Sequence, residues 1–136
     1  MPHIIVEYSA NLERAVDIAK LVRDVHEAAL ASGVFEVGAV RTRAERRDVF
    51  VVADGDPDNG FIHVSIRMAA GREAAIRKRV AESVLDTIAA ATREIRARTG
   101  LGLSVEGQEI DGTASVRLNN LHERMAAKGI AKGHVS

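Results

Sequence analysis

The sequence predicts an α/β fold in which two βαβ units form one mixed sheet with two helices on one face. The order strand, short polar linker, long amphipathic helix, glycine and strand occurs over residues 3–43 and again over 61–110. A right-handed crossover in each unit places both helices on the same side of the shared sheet. The length of 136 residues and the apolar content of 46% fit one domain with a genuine hydrophobic core.

The first unit begins with HIIVEY at residues 3–8, a run that predicts a β-strand directly at the start of the chain. A helix is predicted over 12–32, with Gly33 at its C-terminal end. Residues 37–43 are predicted as the second strand. The apolar stripe of the helix recurs at spacings of three and four and comprises Leu12, Val16, Ala19, Val22, His26 and Ala29.

An apolar run joins the two units. Residues 49–53 read VFVVA and are predicted as a strand buried on both sides of the sheet. The next segment, 54–60, consists almost entirely of turn-forming residues. It is therefore predicted to connect two antiparallel strands.

The second unit repeats the pattern of the first. A strand over 61–68 leads into a helix over 72–98 and a final strand over 103–110. The predicted apolar stripe of this helix comprises Ile76, Val80, Val84, Ile88, Ala91 and Ile95. With both helices on one side, the other face of the sheet has no cover, so we expect subunits to bury it by association. The alternative is a monomer with a wetter second face.

The charge balance limits the classes of partner. Lys plus Arg and Asp plus Glu number 19 each, which gives no overall basic field for nucleic acid or for an anionic membrane. The absence of cysteine excludes disulfides and thiolate metal sites. No apolar stretch approaches the roughly 20 residues that span a bilayer, and no basic-then-apolar leader begins the chain. We expect a cytoplasmic protein.

The histidines do not predict a metal site. A ligand set on one element needs spacings such as i, i+4 on a helix or i, i+2 on a strand. The histidines are His3, His26, His63, His122 and His134, and no pair of them has either spacing. His3 could line the pocket, but we expect it to bond at a subunit contact, and we expect His63 to pack or to bond between subunits.

Pro2 stands directly before the first predicted strand. An initiator methionine is normally removed when a small residue follows it, and removal of Met1 would leave Pro2 with a free secondary amine. A main-chain amine has a pKa of about 8, which an apolar wall or a nearby cation lowers by disfavouring the ammonium form. Pro2 would then be a general base. The alternative is that a proline is merely tolerated at the first residue of a strand.

Several motifs occur in a fixed order between Pro2 and about residue 124. They are PHIIVE at 2–7, GAVRTR at 38–43, ADG at 53–55, His63, AGR at 70–72 and NNLH at 119–122. Together they resemble the 5-carboxymethyl-2-hydroxymuconate isomerase family of the tautomerase superfamily. The resemblance implies one tautomerase-like domain over 1–124, a homotrimeric assembly and no metal or organic cofactor. Residues 125–136 are predicted to be a loosely held extension.

The same resemblance implies the site residues. Pro2 corresponds to the catalytic base, and Arg41 and Arg72 correspond to the family's two functional arginines. The implied reaction shifts a proton and a double bond in an unsaturated, carboxylated enol of aromatic-compound breakdown, in the homoprotocatechuate pathway. An uncharged amine takes a proton from oxygen and delivers one to carbon, and planar guanidiniums suit the carboxylates.

Alternatives remain open at each arginine. Arg41 has Glu7 and Glu36 as possible partners on the surface, and Arg72 could be a solvated residue in the first turn of a helix. Arg43, Arg46, Arg47 and Arg67 are further basic residues near these strands, and we expect them to be surface charges.

Two features of the chain set limits on the resemblance. Family members carry tryptophan at about 44–50, whereas this chain has none anywhere, so the wall of the pocket is expected to differ. If Met1 is retained, the Pro2 nitrogen is an amide and cannot act as a base.

Two other functions compete with this assignment. One is a different tautomerase-type reaction, such as phenylpyruvate-type tautomerisation, hydration or decarboxylation, that uses the same residues. The other is an oligomer that binds a small carboxylate without catalysis. All three involve a small-molecule partner and neither nucleic acid nor a membrane.

Overall fold

A four-stranded mixed sheet forms the centre of the fold in the computed structural model, which describes residues 1–130. The strands are β1 (His3–Ser9), β2 (Arg41–Arg47), β3 (Gly60–Ala69) and β4 (Leu101–Ile110). They lie in the order β2-β1-β3-β4. β1 is parallel to β2, β3 is parallel to β4, and β1 and β3 are antiparallel. The predicted pair of βαβ units in a mixed sheet is confirmed.

Helices connect the parallel strand pairs. The α-helices are α1 (Ile18–Ala31), α2 (Ala74–Ala91), α3 (Arg93–Arg96) and α4 (Leu121–Ala127), and short 3₁₀ turns span Ala10–Arg14, Val37–Ala39 and Gly112–Ala114. α1 and α2 pack against each other and against the sheet. No helix among residues 1–130 has both the length and the apolar character needed to cross a bilayer.

The core lies between the sheet and the two long helices. Alternate residues of β1 and β3 point inward because successive side chains of a strand lie on opposite faces. The largest fully buried side chains include Ile4, Val6, Ile62, Val64, Ile66 and Met68 from the strands and Leu21, Val25, Val80, Val84 and Ile88 from the helices. The other face of β1 and β3 carries half-exposed side chains, among them Ile5 and Phe61.

The first helix begins later than predicted, at Ile18 rather than at residue 12. Residues 10–14 form a 3₁₀ turn, and the carboxylate of Asp17 caps α1 by accepting the Lys20 N–H at 3.1 Å. The later start changes the stripe that faces the core. It consists of Leu21, Val25, Ala29 and Leu30.

The second predicted helix, over 72–98, is two helices. α2 ends at Ala91, and the side chain of Thr92 donates a hydrogen bond to the Ile88 carbonyl at 2.7 Å where the helical path is interrupted. The centre of the predicted stripe is confirmed, because Val80, Val84 and Ile88 are buried.

Two strand predictions need correction. The second strand lies at 41–47 rather than 37–43, and the predicted strand at 49–53 is wrong. Val49 is 96% exposed. The chain turns here, because the Val52 carbonyl accepts the Gly55 N–H at 3.0 Å. The predicted antiparallel partner of this run, β3, already lies between β1 and β4, so the run has no place beside it, and residues 54–60 do not connect an antiparallel pair.

The C-terminal boundary at residue 124 stays a prediction. α4 continues across it to Ala127, and its N-terminal turn is fixed by the Asn119 side chain, which accepts the Leu121 N–H at 3.0 Å. The last part of the predicted extension, 131–136, lies outside the described residues.

Candidate active site

The N-terminus is fixed at the point where β1 and β2 begin. Pro2 is buried, and its carbonyl accepts the Arg41 N–H at 3.1 Å. The next residue, His3, is the register partner of Arg41 in the parallel ladder. Sheet pairing therefore holds Pro2 next to the backbone of Arg41.

The free amine of the full chain belongs to Met1, and its surroundings are cationic. Burial lowers the pKa of this amine below its ordinary value, and Arg117, Arg72 and Arg41 lower it further. The structure thus brings the two predicted arginines, Arg41 and Arg72, together with the N-terminus. It adds Arg117, which the sequence analysis did not single out.

The backbone of a 3₁₀ turn holds the side chain of Arg41. Its guanidinium donates to the Ala39 carbonyl at 2.7 Å and to the Gly38 carbonyl at 3.4 Å. Neither surface partner considered from the sequence is used. Glu7 accepts from Arg47 at 2.6 Å, and Glu36 lies 3.1 Å from the ring of His122.

α4 packs on the turn that holds Arg41. A Cβ added at Gly38 would stand 3.0 Å from the backbone nitrogen of His122 and 3.1 Å from its Nδ1 atom. Glycine at this position allows helix and turn to approach this closely. The GAVRTR motif at 38–43 and the NNLH motif at 119–122, which are far apart in the chain, therefore meet beside Arg41.

Arg72 lies in the turn between β3 and α2. Its guanidinium donates to the Ala69 carbonyl at 3.3 Å, and its Cζ atom lies 5.2 Å from the centre of the Phe35 ring. Gly71 has a φ of +108°, a conformation that favours glycine, and donates its N–H to a Glu109 carboxylate oxygen at 3.1 Å. Arg72 precedes the first residue of α2, so it is not the first-turn helix residue considered above.

A cavity of about 360 Å³ opens beside the N-terminus. Small side chains account for much of its wall, and Arg117 provides a cation. The lining residues are Met1, Ala69, Ala70, Ile110, Gly112, Ser115 and Arg117. Arg117 comes from an extended segment after β4, where no helical or strand period marks it in the sequence. The one local signal is its place between two apolar residues, Val116 and Leu118.

Three other arginines near these strands contact neighbouring side chains. Arg46 pairs with Glu13, and Arg47 with Glu7, through exposed ion pairs. Arg43 lies 3.1 Å from the ring of His3. Burial lowers the pKa of His3, and Arg43, Arg41 and Arg67 add to the effect. Within residues 1–130, no group of three or more His, Asp or Glu side chains is placed to hold a metal ion.

Comparison with known proteins gives consistent results. The family model for 5-carboxymethyl-2-hydroxymuconate isomerase matches residues 2–125. The 5-carboxymethyl-2-hydroxymuconate Delta-isomerase of Escherichia coli is 30% identical over 122 residues, which are 90% of this chain and 97% of that protein.

Solved structures share the fold. A 5-carboxymethyl-2-hydroxymuconate isomerase from Deinococcus radiodurans R1 superposes with a TM-score of 0.84 at 30% identity, covering 90% of this chain and 92% of that one. A structure described as a fused 4-OT wild-type symmetric trimer has a TM-score of 0.61 at 15% identity, with 86% and 92% of the two chains covered, and supports the fold alone.

Proposed function

Because the chain belongs to the 5-carboxymethyl-2-hydroxymuconate isomerase family, we propose that it isomerises an unsaturated enol with several carboxylates, using the amine of Pro2 as general base. The observation that carries the proposal is the convergence of Arg41, Arg72 and Arg117 on the N-terminal amine beside a cavity. A neutral base and several fixed cations are what proton transfer on a polyanionic substrate needs.

The base appears when Met1 is removed. The Pro2 nitrogen then becomes a secondary amine at the start of β1, held in place by the bond between the Pro2 carbonyl and the Arg41 N–H. We expect the same arginines to keep its pKa below about 8, the ordinary value of a main-chain amine.

The reaction requires one proton to move. The neutral amine takes the proton of the enol hydroxyl, the electron pair of that O–H bond forms the carbonyl, and the double bonds shift along the conjugated chain. The resulting ammonium returns a proton to a carbon of the former diene. Substrate and product are isomers, and the amine ends as it began.

The arginines bind the substrate and stabilise developing charge. Arg41 already donates to two carbonyls, which restricts where its remaining N–H groups point. Arg72 is restrained by the Ala69 carbonyl and by the Phe35 ring. Guanidiniums that are held before the substrate arrives lose little conformational freedom on binding, so their contribution to orientation is larger.

We also propose that the enzyme is a homotrimer. On the face of the sheet away from α1 and α2, the side chains of β1 and β3 are only partly buried. Large apolar side chains stand in solvent, with Val49, Val51, Val116 and Leu118 at 96%, 85%, 97% and 98% exposure. Such side chains in two separate segments indicate an interface with another subunit. Sedimentation equilibrium at micromolar concentration should give three times the chain mass, and a monomer would contradict the proposal.

The catalytic proposal is tested with 5-carboxymethyl-2-hydroxymuconate and an ultraviolet assay of diene loss. Intact-mass measurement should show that Met1 is absent from active protein. Pro2→Ala keeps an amine but makes it primary, and we expect a loss of about 10² in kcat, within the range for a positioned general base. A Pro2→Ala variant at full rate would overturn the assignment.

A non-catalytic carboxylate-binding oligomer is the second candidate, because the cavity and Arg117 can bind an anion without a base. Retention of Met1 in protein from the native host would favour it. Turnover of phenylenolpyruvate without turnover of the hydroxymuconate would instead indicate another tautomerase-type reaction.

A further inference from the structure

We propose that the cavity beside the N-terminus is a subsite for the carboxylate on a side branch of the substrate, and that Arg117 is the residue that binds it. The inference rests on the proposed function, and it assigns a role to a residue beyond Pro2, Arg41 and Arg72. It predicts that Arg117 selects branched polycarboxylates over the corresponding unbranched substrates.

Arg117 lines the cavity from the segment that follows β4. Ser115 has extended dihedral angles, and side chains of an extended segment alternate in direction. Val116 and Leu118 are almost fully exposed, at 97% and 98%, whereas Arg117 between them lines the cavity with Met1. Arg117 is itself exposed, so its guanidinium is open to a ligand that enters the cavity.

The walls of the cavity leave room for a branch. Ala69 and Ala70 at the end of β3, with Gly112 after β4, present little or no side chain. Ser115 adds a hydroxyl-bearing side chain to the wall that Arg117 also lines. With Met1 in its wall the cavity has a volume of about 360 Å³, at the lower end of the range for ligand pockets, about 300 to 1,000 Å³, and removal of Met1 widens it. A carboxymethyl group fits this combination of small walls and one cation.

The charge of Arg117 is available to a ligand. Within residues 1–130, no carboxylate lies within ion-pair distance of it, whereas Arg46 and Arg47 each have carboxylate partners at 2.6–2.7 Å. Arg117 also lines the same cavity as Met1 and is the first of the three arginines in its effect on the pKa of the Met1 amine. A carboxylate bound there would be next to the reacting part of the substrate.

The kinetic test compares two enols that differ only in the branch, 5-carboxymethyl-2-hydroxymuconate and 2-hydroxymuconate. For Arg117→Gln we expect KM for the branched enol to rise about 10- to 100-fold, as loss of a charge-assisted hydrogen bond predicts, and KM for the unbranched enol to change less than about threefold. Arg117→Lys should recover part of the loss. Arg23→Gln, an exposed arginine change on α1, is the matched control and should change neither KM.

A binding measurement decides the same question without turnover. Calorimetry with propane-1,2,3-tricarboxylate and with glutarate, which lacks the central carboxylate, should show that Arg117→Gln weakens the tricarboxylate about tenfold more than glutarate.

The outcomes separate the two proposals. If the wild-type protein turns over neither enol, the proposed function fails, and the calorimetric pair still decides the subsite. If Arg117→Gln weakens both anions equally, or neither, the subsite proposal is overturned. An equal loss on both enols, with the acidic limb of the kcat/KM profile shifted to higher pH, would also overturn it, because Arg117 would then act only on the amine.

Discussion

Replacing Gly38 by alanine tests whether the packing of α4 positions Arg41. Gly38 lies in the 3₁₀ turn whose carbonyls hold the Arg41 guanidinium, and α4 packs directly on it. The added methyl group would stand 3.0 Å from the backbone nitrogen of His122 and 3.2 Å from its Cα. Because both are backbone atoms, rotation of the His122 side chain cannot relieve the contact.

The size of the effect follows from these distances. Ordinary contacts of a Cβ begin at 3.4 Å, so turn and helix must separate by a few tenths of an ångström. Overpacking of this kind costs about 1–3 kcal/mol of unfolding free energy. A misplacement of 1 Å in a substrate-positioning group costs about 10² in rate, so a shift of a few tenths should raise KM for the carboxylated enol about three- to tenfold.

The assay pairs steady-state kinetics with urea unfolding. Gly107→Ala is the matched control, because its added Cβ would stand 3.6 Å from the end of the Met68 side chain, an ordinary contact. We expect Gly107→Ala to keep both KM and stability. Gly38→Ala should lose stability and raise KM together.

Two results would refute the reasoning. Unchanged stability of Gly38→Ala would mean that the contact between α4 and the turn is not close in solution. A loss of stability with wild-type KM would mean that Arg41 keeps its place without the support of α4, so the role of the turn in the site would be wrong.

Two further predictions concern Tyr8 and Glu109. Tyr8 is the single tyrosine of a chain without tryptophan. Burial and its hydrogen bond to Glu13 raise its pKa to about 12 in the folded protein, whereas the pKa in the unfolded chain is about 10. The unfolded state should therefore lose this proton first, and the unfolding free energy should fall as pH rises above 10. Ultraviolet titration of tyrosinate in the folded protein checks this, and a midpoint near 10 would contradict it. Glu109→Ala removes the acceptor of the Gly71 N–H and should raise KM about threefold through Arg72 with little change in kcat; an unchanged KM would show that Arg72 does not depend on this bond.

Element order was predictable from the sequence because the two βαβ units are local. The alternation in β1 and β3 and the stripe of α2 appear within single segments, and burial follows them. The wrong strand prediction at 49–53 shows the limit of local sequence patterns. β2 reads RTRAERR and is an edge strand, where charged side chains are favoured because they prevent further pairing. The neighbouring apolar run at 49–53 has the better strand composition and lies in an exposed connection.

The residues of the candidate site also divide into those that the sequence predicted and one that it did not. Pro2, Arg41 and Arg72 were expected from motifs that resemble a family, and their proximity to one another depends on the ladder between β1 and β2 and on the turn at Gly71. Arg117 belongs to no recognisable element, and it reaches the N-terminus only because β4 returns to the same edge as the end of β3. That proximity is tertiary, so no pattern within residues 111–120 encodes it.

The arginines near the N-terminus affect both the binding of a carboxylated substrate and the pKa of the proposed base. Arg41, Arg72 and Arg117 each lower the pKa of the N-terminal amine. A substrate carboxylate that pairs with Arg41, Arg72 or Arg117 offsets part of that positive charge, so binding raises the pKa of the base again. The proposed base therefore has a lower pKa before substrate binds and becomes a stronger proton acceptor once the substrate is in place. An enol without carboxylates would leave the base in its weaker state, and selection for polyanionic substrates would then operate through the chemical step as well as through binding.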